Sequence, residues 1–242
     1  MTIRTVTGFH SSHSELLCDD VSLLAMAEAE GTPLYVYSAA DIRARYRALD
    51  EAFSTYPHRL HYAFKANSTL AITRLLRGLG AAADVNSVWE LEVARRAGFR
   101  APDIVFTGVG KSLQELECAV PLGLKAINVE SAGELSRIES IAARRGQPAR
   151  VAIRFNPDID AKSHPHISTG LRVNKFGVPS DVARELAASV AGRPALQLVA
   201  VHVHVGSQIT TIEPLARAAL QPAEEGQERR RRWHAQGNRR SE

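Results

Sequence analysis

The chain has 242 residues, 45% of them hydrophobic, which suffices for one sizeable core. Its net charge is +4, and half of that excess sits in residues 221–242, which hold six arginines and four glutamates, so the rest is not a basic, nucleic-acid-binding surface. Cys18 and Cys118 make no disulfide framework, the start MTIRTVTGFHSSHSELLC has no apolar signal core, and no stretch reaches the roughly 18 apolar residues of a membrane span, so a cytoplasmic protein is expected.

In chain order, residues 1–58 read as an entry segment. It holds a strand near 14–18, a short helix near 21–29, a strand over Pro33–Ser38 and an amphipathic helix from Asp41 to about Phe53. From 59 to 220 an apolar run, a polar cap and a helical stretch repeat. Strands are predicted near 60–64, 82–85, 103–106, 126–129, 150–155 and 197–205. Helices fill 69–79, 88–97, 113–120, 132–145 and 180–191, the first with Ile72, Leu75, Leu76 and Leu79 on one face.

Three helix starts carry Ser-x-x-Glu boxes: Ser87 with Glu90, Ser112 with Glu115, and Ser131 with Glu134. In such a box the serine accepts from a free backbone amide and the glutamate reaches back to the cap's own amide. Three boxes in register with three strands predict successive βα units, hence a parallel sheet with right-handed crossovers. Without a dinucleotide-binding glycine fingerprint after the first strand, a (β/α) barrel is favoured over a Rossmann sheet. The stretch Asn156–Phe176 reads as a long loop of the kind that carries function. Residues 221–242 contain no Val, Ile, Leu or Phe and read as a disordered Arg-rich tail.

Lys65 is the residue with the most chemical content. It ends the strand of His61-Tyr62-Ala63-Phe64-Lys65, with a helix close behind, which aims its amine at the mouth of an α/β fold. A partly desolvated amine there can react with a carbonyl. Asp84 ends the next strand, one βα unit on, and Arg154 ends the fifth. Arg154 can pair with Asp84 or with a substrate carboxylate, or stand in a plain salt bridge. In Val201-His202-Val203-His204-Val205 the alternation puts both histidines on one side. They could fill the interior or bind metal, but no further ligand follows at metal spacing. Otherwise the terminal histidine can lie flat on a planar cofactor while Gly206 and Ser207 offer amides and a hydroxyl to a phosphate.

Seven separated stretches in order carry a resemblance. They are Tyr62-Ala63-Phe64-Lys65-Ala66-Asn67, Ala83-Asp84-Val85-Asn86-Ser87, Phe106-Thr107-Gly108-Val109-Gly110-Lys111 and Ile127-Asn128-Val129-Glu130-Ser131. After these come Asn156-Pro157-Asp158-Ile159-Asp160 with Ile167–Leu171, Asn174-Lys175-Phe176-Gly177, and His202-Val203-His204-Val205-Gly206-Ser207-Gln208-Ile209. From about Glu15 to Ala219 the chain resembles the diaminopimelate decarboxylases, fold-type III enzymes that use pyridoxal 5′-phosphate (PLP). The stretch Pro165–Gly177 leans toward diaminopimelate over ornithine or arginine.

That resemblance implies a TIM barrel of the alanine racemase-like type and decarboxylation of meso-2,6-diaminopimelate to L-lysine. It implies that Lys65 carries the cofactor covalently and is catalytic with His204, which stacks on the pyridine ring. Gly206 and Ser207 would contact the phosphate, Asp84 would lie beside the lysine linkage, and Arg154 would bind substrate. No metal is implied. The family continues with a Gly-Gly-Gly strand end, a Glu-Pro-Gly-Arg motif and a C-terminal β domain that completes a dimeric site. None of these stands in this sequence, so about six of eight βα units are expected, with the family dimer in doubt. The change of texture at Ala219–Gln221 predicts a shifted reading frame. The alternatives are a non-catalytic PLP-binding fragment or a decarboxylase of ornithine or arginine; neither nucleic acid nor membrane is expected as a partner.

Overall fold

The structure, a computed structural model, describes residues 8–12, 14–157, 159, 176–206 and 209–220. They divide into two compact units, one up to Ile104 and one from Val105 onward.

The first unit opens on a small antiparallel sheet of β1 (Phe9–Ser12), β2 (Glu15–Cys18) and β3 (Val21–Ser22). Asp19 and Asp20, at φ 50° and 66°, form the two-residue turn between β2 and β3. Positive φ at both turn positions gives the mirror-image turn that follows the twist of a hairpin. Only β2 was expected; β1 and β3 are too short to show alternation. Helix α1 (Leu23–Glu30) starts at Ser22, whose hydroxyl accepts from the Ala25 amide at 3.1 Å.

The expected strand over Pro33–Ser38 does not form. Its apolar residues face no core, with Tyr35 and Tyr37 86% and 54% exposed, so nothing rewards a strand there. Ser38 instead caps α2 (Ala39–Ala52), accepting from the Asp41 amide at 2.9 Å and donating to Asp19 at 2.6 Å. Asp19 also accepts from the Ala40 amide at 3.0 Å, which ties the hairpin turn to the helix start.

Next come β4 (His61–Ala63), α3 (Leu70–Gly78), β5 (Ala82–Val85) and α4 (Val88–Ala97). β4 and β5 pair in parallel, Ala63 opposite Asp84. Ile72 and Leu76 of α3 are buried with Ala81, and Ile42, Tyr46, Tyr62 and Leu79 pack around them.

The second unit repeats the same grammar. Its strands are β6 (Ile104–Phe106), β7 (Ala126–Val129), β8 (Ala149–Asn156), β9 (Val178–Pro179) and β10 (Leu196–Val203). Its helices are α5 (Leu113–Ala119), α6 (Ala132–Arg145) and α7 (Ser180–Val190), and residues 213–220 are helical too. Parallel pairing joins β6 to β7, β7 to β8, β8 to β10, and β9 to β8. All four residues of β7 are buried, as parallel strands covered on both faces require. Leu135, Ile138 and Ile141 line the buried face of α6 at helical spacing.

The six strands expected from 60–64 to 197–205 are thus β4, β5, β6, β7, β8 and β10, each within two residues at either end. β10 carries a bulge: Leu198 opposes Val151 and Ala200 opposes Ala152, with Val199 left over. The extra residue brings His202 opposite Arg154.

All three capping serines accept from the expected amide, each at 3.2 Å. Only Ser112 and Glu115 close the box, with the Ser112 amide donating back to Glu115 at 3.0 Å. Glu90 accepts instead from the Asn86 amide at 2.7 Å, and Glu134 is drawn to a buried lysine, Lys111. The loop Asn156–Phe176 lies outside the described residues except near its ends, as does the whole of 221–242 with the expected frame shift's sequel. Among the described residues no helix is long and apolar enough to cross a membrane.

Candidate active site

In the first unit β4 stops at Ala63, and a 3-10 turn over Phe64–Ala66 follows, so Lys65 lies two residues past the strand rather than at its end. Phe64 is buried and meets Phe99 edge to face, ring centroids 5.7 Å apart. The Tyr62 hydroxyl donates to the Asn67 carbonyl at 3.0 Å, and the Thr69 amide donates to the Asn67 side chain at 2.9 Å. The turn is pinned on both sides while Lys65 itself is exposed, not partly desolvated as expected. Asp84 is half-buried opposite Ala63, two residues before Lys65 in register. Just beyond it, Asn86 Nδ2 is buried with no hydrogen-bond partner.

In the second unit His204 lies one residue past the end of β10 and is exposed; Gly206 follows at φ 151°, a conformation glycine favours. Ser207 lies outside the described residues.

Beside this strand end lies a set of buried charges. The Lys111 amine donates to the Gly108 carbonyl at 2.7 Å, the Asn128 carbonyl at 2.7 Å and Glu134 at 2.6 Å. It also sits 5.6 Å from the centroid of the Phe106 ring. Lys111 and Glu134 side chains are each 2% exposed. Asn128 donates to the Thr107 hydroxyl at 2.8 Å. Arg154 donates to Glu130 at 2.5 Å, their side chains 7% and 5% exposed. The partner of Arg154 is therefore Glu130, a plain salt bridge, which stood beside pairing with Asp84 or a substrate carboxylate among the expectations for this residue. Across the sheet His202 stands opposite Arg154 with its Nδ1 buried and unpartnered. Burial first, then the charges of Arg154, His204 and Lys111, holds this imidazole down to about 4, so it is neutral at pH 7.

Glu130, Lys111 and Glu134 were not singled out as site residues. Glu130 stands directly after β7, so the rule that found Lys65 and Asp84, a charged residue at the C-terminal end of a parallel strand, would have found it. Locally Glu134 is marked only as the partner of the Ser131 cap, and nothing local shows that Lys111 meets it, because the two stand in different βα units. Among the described residues no three His, Cys, Asp or Glu side chains are grouped to hold a metal ion.

The pyridoxal-dependent decarboxylase family, pyridoxal binding domain, matches residues 39–229. The chain belongs to this family. It is 44% identical over 206 residues to a diaminopimelate decarboxylase of Pseudomonas aeruginosa, covering 85% of this chain and 50% of the relative. Two solved structures are similar. The diaminopimelate decarboxylase from Helicobacter pylori complexed with L-lysine has a TM-score of 0.80 at 41% identity, covering 85% of this chain and 52% of that one. That from M. jannaschii in co-complex with L-lysine has a TM-score of 0.81 at 35% identity, covering 91% and 55%. The chain thus spans about half the length of these relatives. The fold class is that of the TIM-barrel domain of these decarboxylases, present in part.

The family's cofactor is PLP. The donor set fits it in chemical kind. The first unit offers an exposed primary amine for an aldehyde, a nearby carboxylate and the unpartnered Asn86 amide group. The second offers an exposed imidazole and, at Gly206, a backbone with no side chain in the way.

Proposed function

We propose that this pyridoxal-dependent decarboxylase acts on meso-2,6-diaminopimelate to release L-lysine. The observation that carries the reading is the 44% identity with a diaminopimelate decarboxylase over 206 residues, a stretch that includes the ordered motifs around Lys65, Asp84 and His204. When bound, PLP supplies an electron sink for the pair left behind as carbon dioxide departs. The protein binds and orients. Lys65 would hold the aldehyde of PLP through its amine. Asp84 would stand near that lysine and keep it oriented. His204 would support the ring, and Gly206 and Ser207 would hold the phosphate. Arg154 contributes positive charge near the strand ends. Two cysteines without a disulfide framework suit a cytoplasmic enzyme.

The test is borohydride reduction of the purified chain with PLP, followed by peptide mass mapping. A pyridoxyl mass on the peptide containing Lys65, lost in Lys65→Ala, is the expected result; an unchanged adduct in that variant refutes the assignment. A second reading is a pyridoxal-binding chain without turnover. Lysine release from diaminopimelate by the PLP-loaded chain separates the two.

A further inference from the structure

Two polar atoms in the second unit are buried and unpartnered within one row of side chains: Glu130 Oε2 and His202 Nδ1. Between them stands Arg154. Val129 of β7 opposes Ile153 of β8, so Glu130, the next residue, falls in line with Arg154, and Arg154 opposes His202 of β10. Residues opposed across parallel strands share a face of the sheet at a strand spacing of about 4.8 Å. The row is therefore carboxylate, guanidinium and imidazole across three adjacent strands, two residues before His204.

Three contacts among the described residues hold Arg154. Glu130 takes its NH1 at 2.5 Å, the Phe176 ring centroid lies 5.5 Å from its guanidinium carbon, and Gly177 crosses its backbone so closely that a Cβ there would stand 2.9 Å from the Arg154 carbonyl oxygen. A second buried pair, Lys111 with Glu134, braces the row from the side, since Glu134 also accepts from the Glu130 amide at 3.4 Å. Buried ion pairs add little stability over apolar residues of the same volume, so their presence here asks for another reason.

We propose that Glu130 is a positioning residue: it fixes the Arg154 guanidinium against His202, and this row sets how the end of β10 presents His204 and Gly206. The inference rests on the pyridoxal-binding reading of His204 and Gly206. Among the described residues Arg154 of β8, His204 after β10 and Lys111 of the loop after β6 are the charged or titratable groups that act on His202, with Glu130 and Glu134 paired to Arg154 and Lys111. With Arg154 fixed beside it, His202 stays a neutral imidazole under the strand end. Without Glu130 the guanidinium is uncompensated in the interior and has no fixed direction.

Three variants of the full chain test this: Glu130→Gln, Arg154→Met and the double variant. The first readout needs no cofactor. Titrating the His202 ring by NMR, its midpoint should rise in Arg154→Met, where a neighbouring cation is gone. A midpoint the same as in the parent chain overturns the inference whatever becomes of the PLP reading. The second readout is the borohydride-trapped pyridoxyl on Lys65 at limiting PLP. The double variant removes both charges and should recover the parent's thermal midpoint. If Glu130 positions, its adduct yield stays down roughly tenfold, the scale of losing a group that orients a ligand-binding residue. If folding and adduct return together, the pair is only structural and the inference fails.

Discussion

Gly177 is held at φ +88°, where a side chain costs about 1–2 kcal/mol by itself. A Cβ there would also meet Arg154 Cγ at 3.1 Å and its carbonyl carbon at 3.2 Å, both on the buried strand β8. Gly177→Ala should therefore destabilise the chain by more than the backbone term, about 2 kcal/mol or above, read as a lower urea midpoint. An unchanged midpoint would show that Arg154 can step aside, and would remove one wall of its enclosure. At this scale the sequence pointed to Lys65, Asp84 and His204 as candidates, because a charged or aromatic residue at or just past the end of a parallel strand lies where α/β folds keep their sites. It did not make the Arg154 and His202 pairing legible. That pairing depends on the bulge at Val199, one extra residue that no periodicity announces.

Among the elements, α5 is the one whose start leans most on its cap. It has seven residues, and its box is closed in both directions by Ser112 and Glu115. Ser112→Ala removes the acceptor of the Glu115 amide and the hydroxyl that donates to Glu115 at 3.1 Å, while the return bond from the backbone amide survives, so a loss of about 1 kcal/mol is expected in chemical denaturation. Ser87→Ala removes the acceptor of the Glu90 amide and leaves the Glu90 and Asn86 contact intact, so without a serine-to-glutamate side-chain bond to lose it should cost less than Ser112→Ala. Equal losses at the two caps would mean that the Ser112 hydroxyl's bond to Glu115 contributes nothing. The local code, serine then glutamate three residues on, fixed where all three helices begin. It could not decide where each glutamate turns, because Glu134 meets Lys111, 23 residues away, in a site that only packing creates.

For the molecule as a whole, His202 ties stability to pH. Its ordinary value is 6.5, and burial beside Arg154, His204 and Lys111 lowers it to about 4 in the fold. Between those values the unfolded chain takes up a proton that the folded chain refuses. Stability is therefore full above pH 6.5 and is lost progressively as pH falls toward 4, by roughly 3 kcal/mol in total. His202→Leu should flatten that part of the stability profile, and a variant with the parent's full slope would show that other groups cause it.

From β4 to β10 the sequence by itself determined the alternation of strands and helices, apart from the two-residue β9, and the capped helix starts. Those are set by local spacing: apolar runs of strand length, helical periodicity and caps a few residues away. Tertiary structure alone decided that Pro33–Ser38 is no strand, that Lys65 stands exposed on a pinned turn, and that Glu130 holds Arg154. The reason is physical. Whether an apolar segment becomes a strand depends on a partner edge and a core to face, and a buried charge takes the opposite charge that strand register brings beside it, here from 24 residues away.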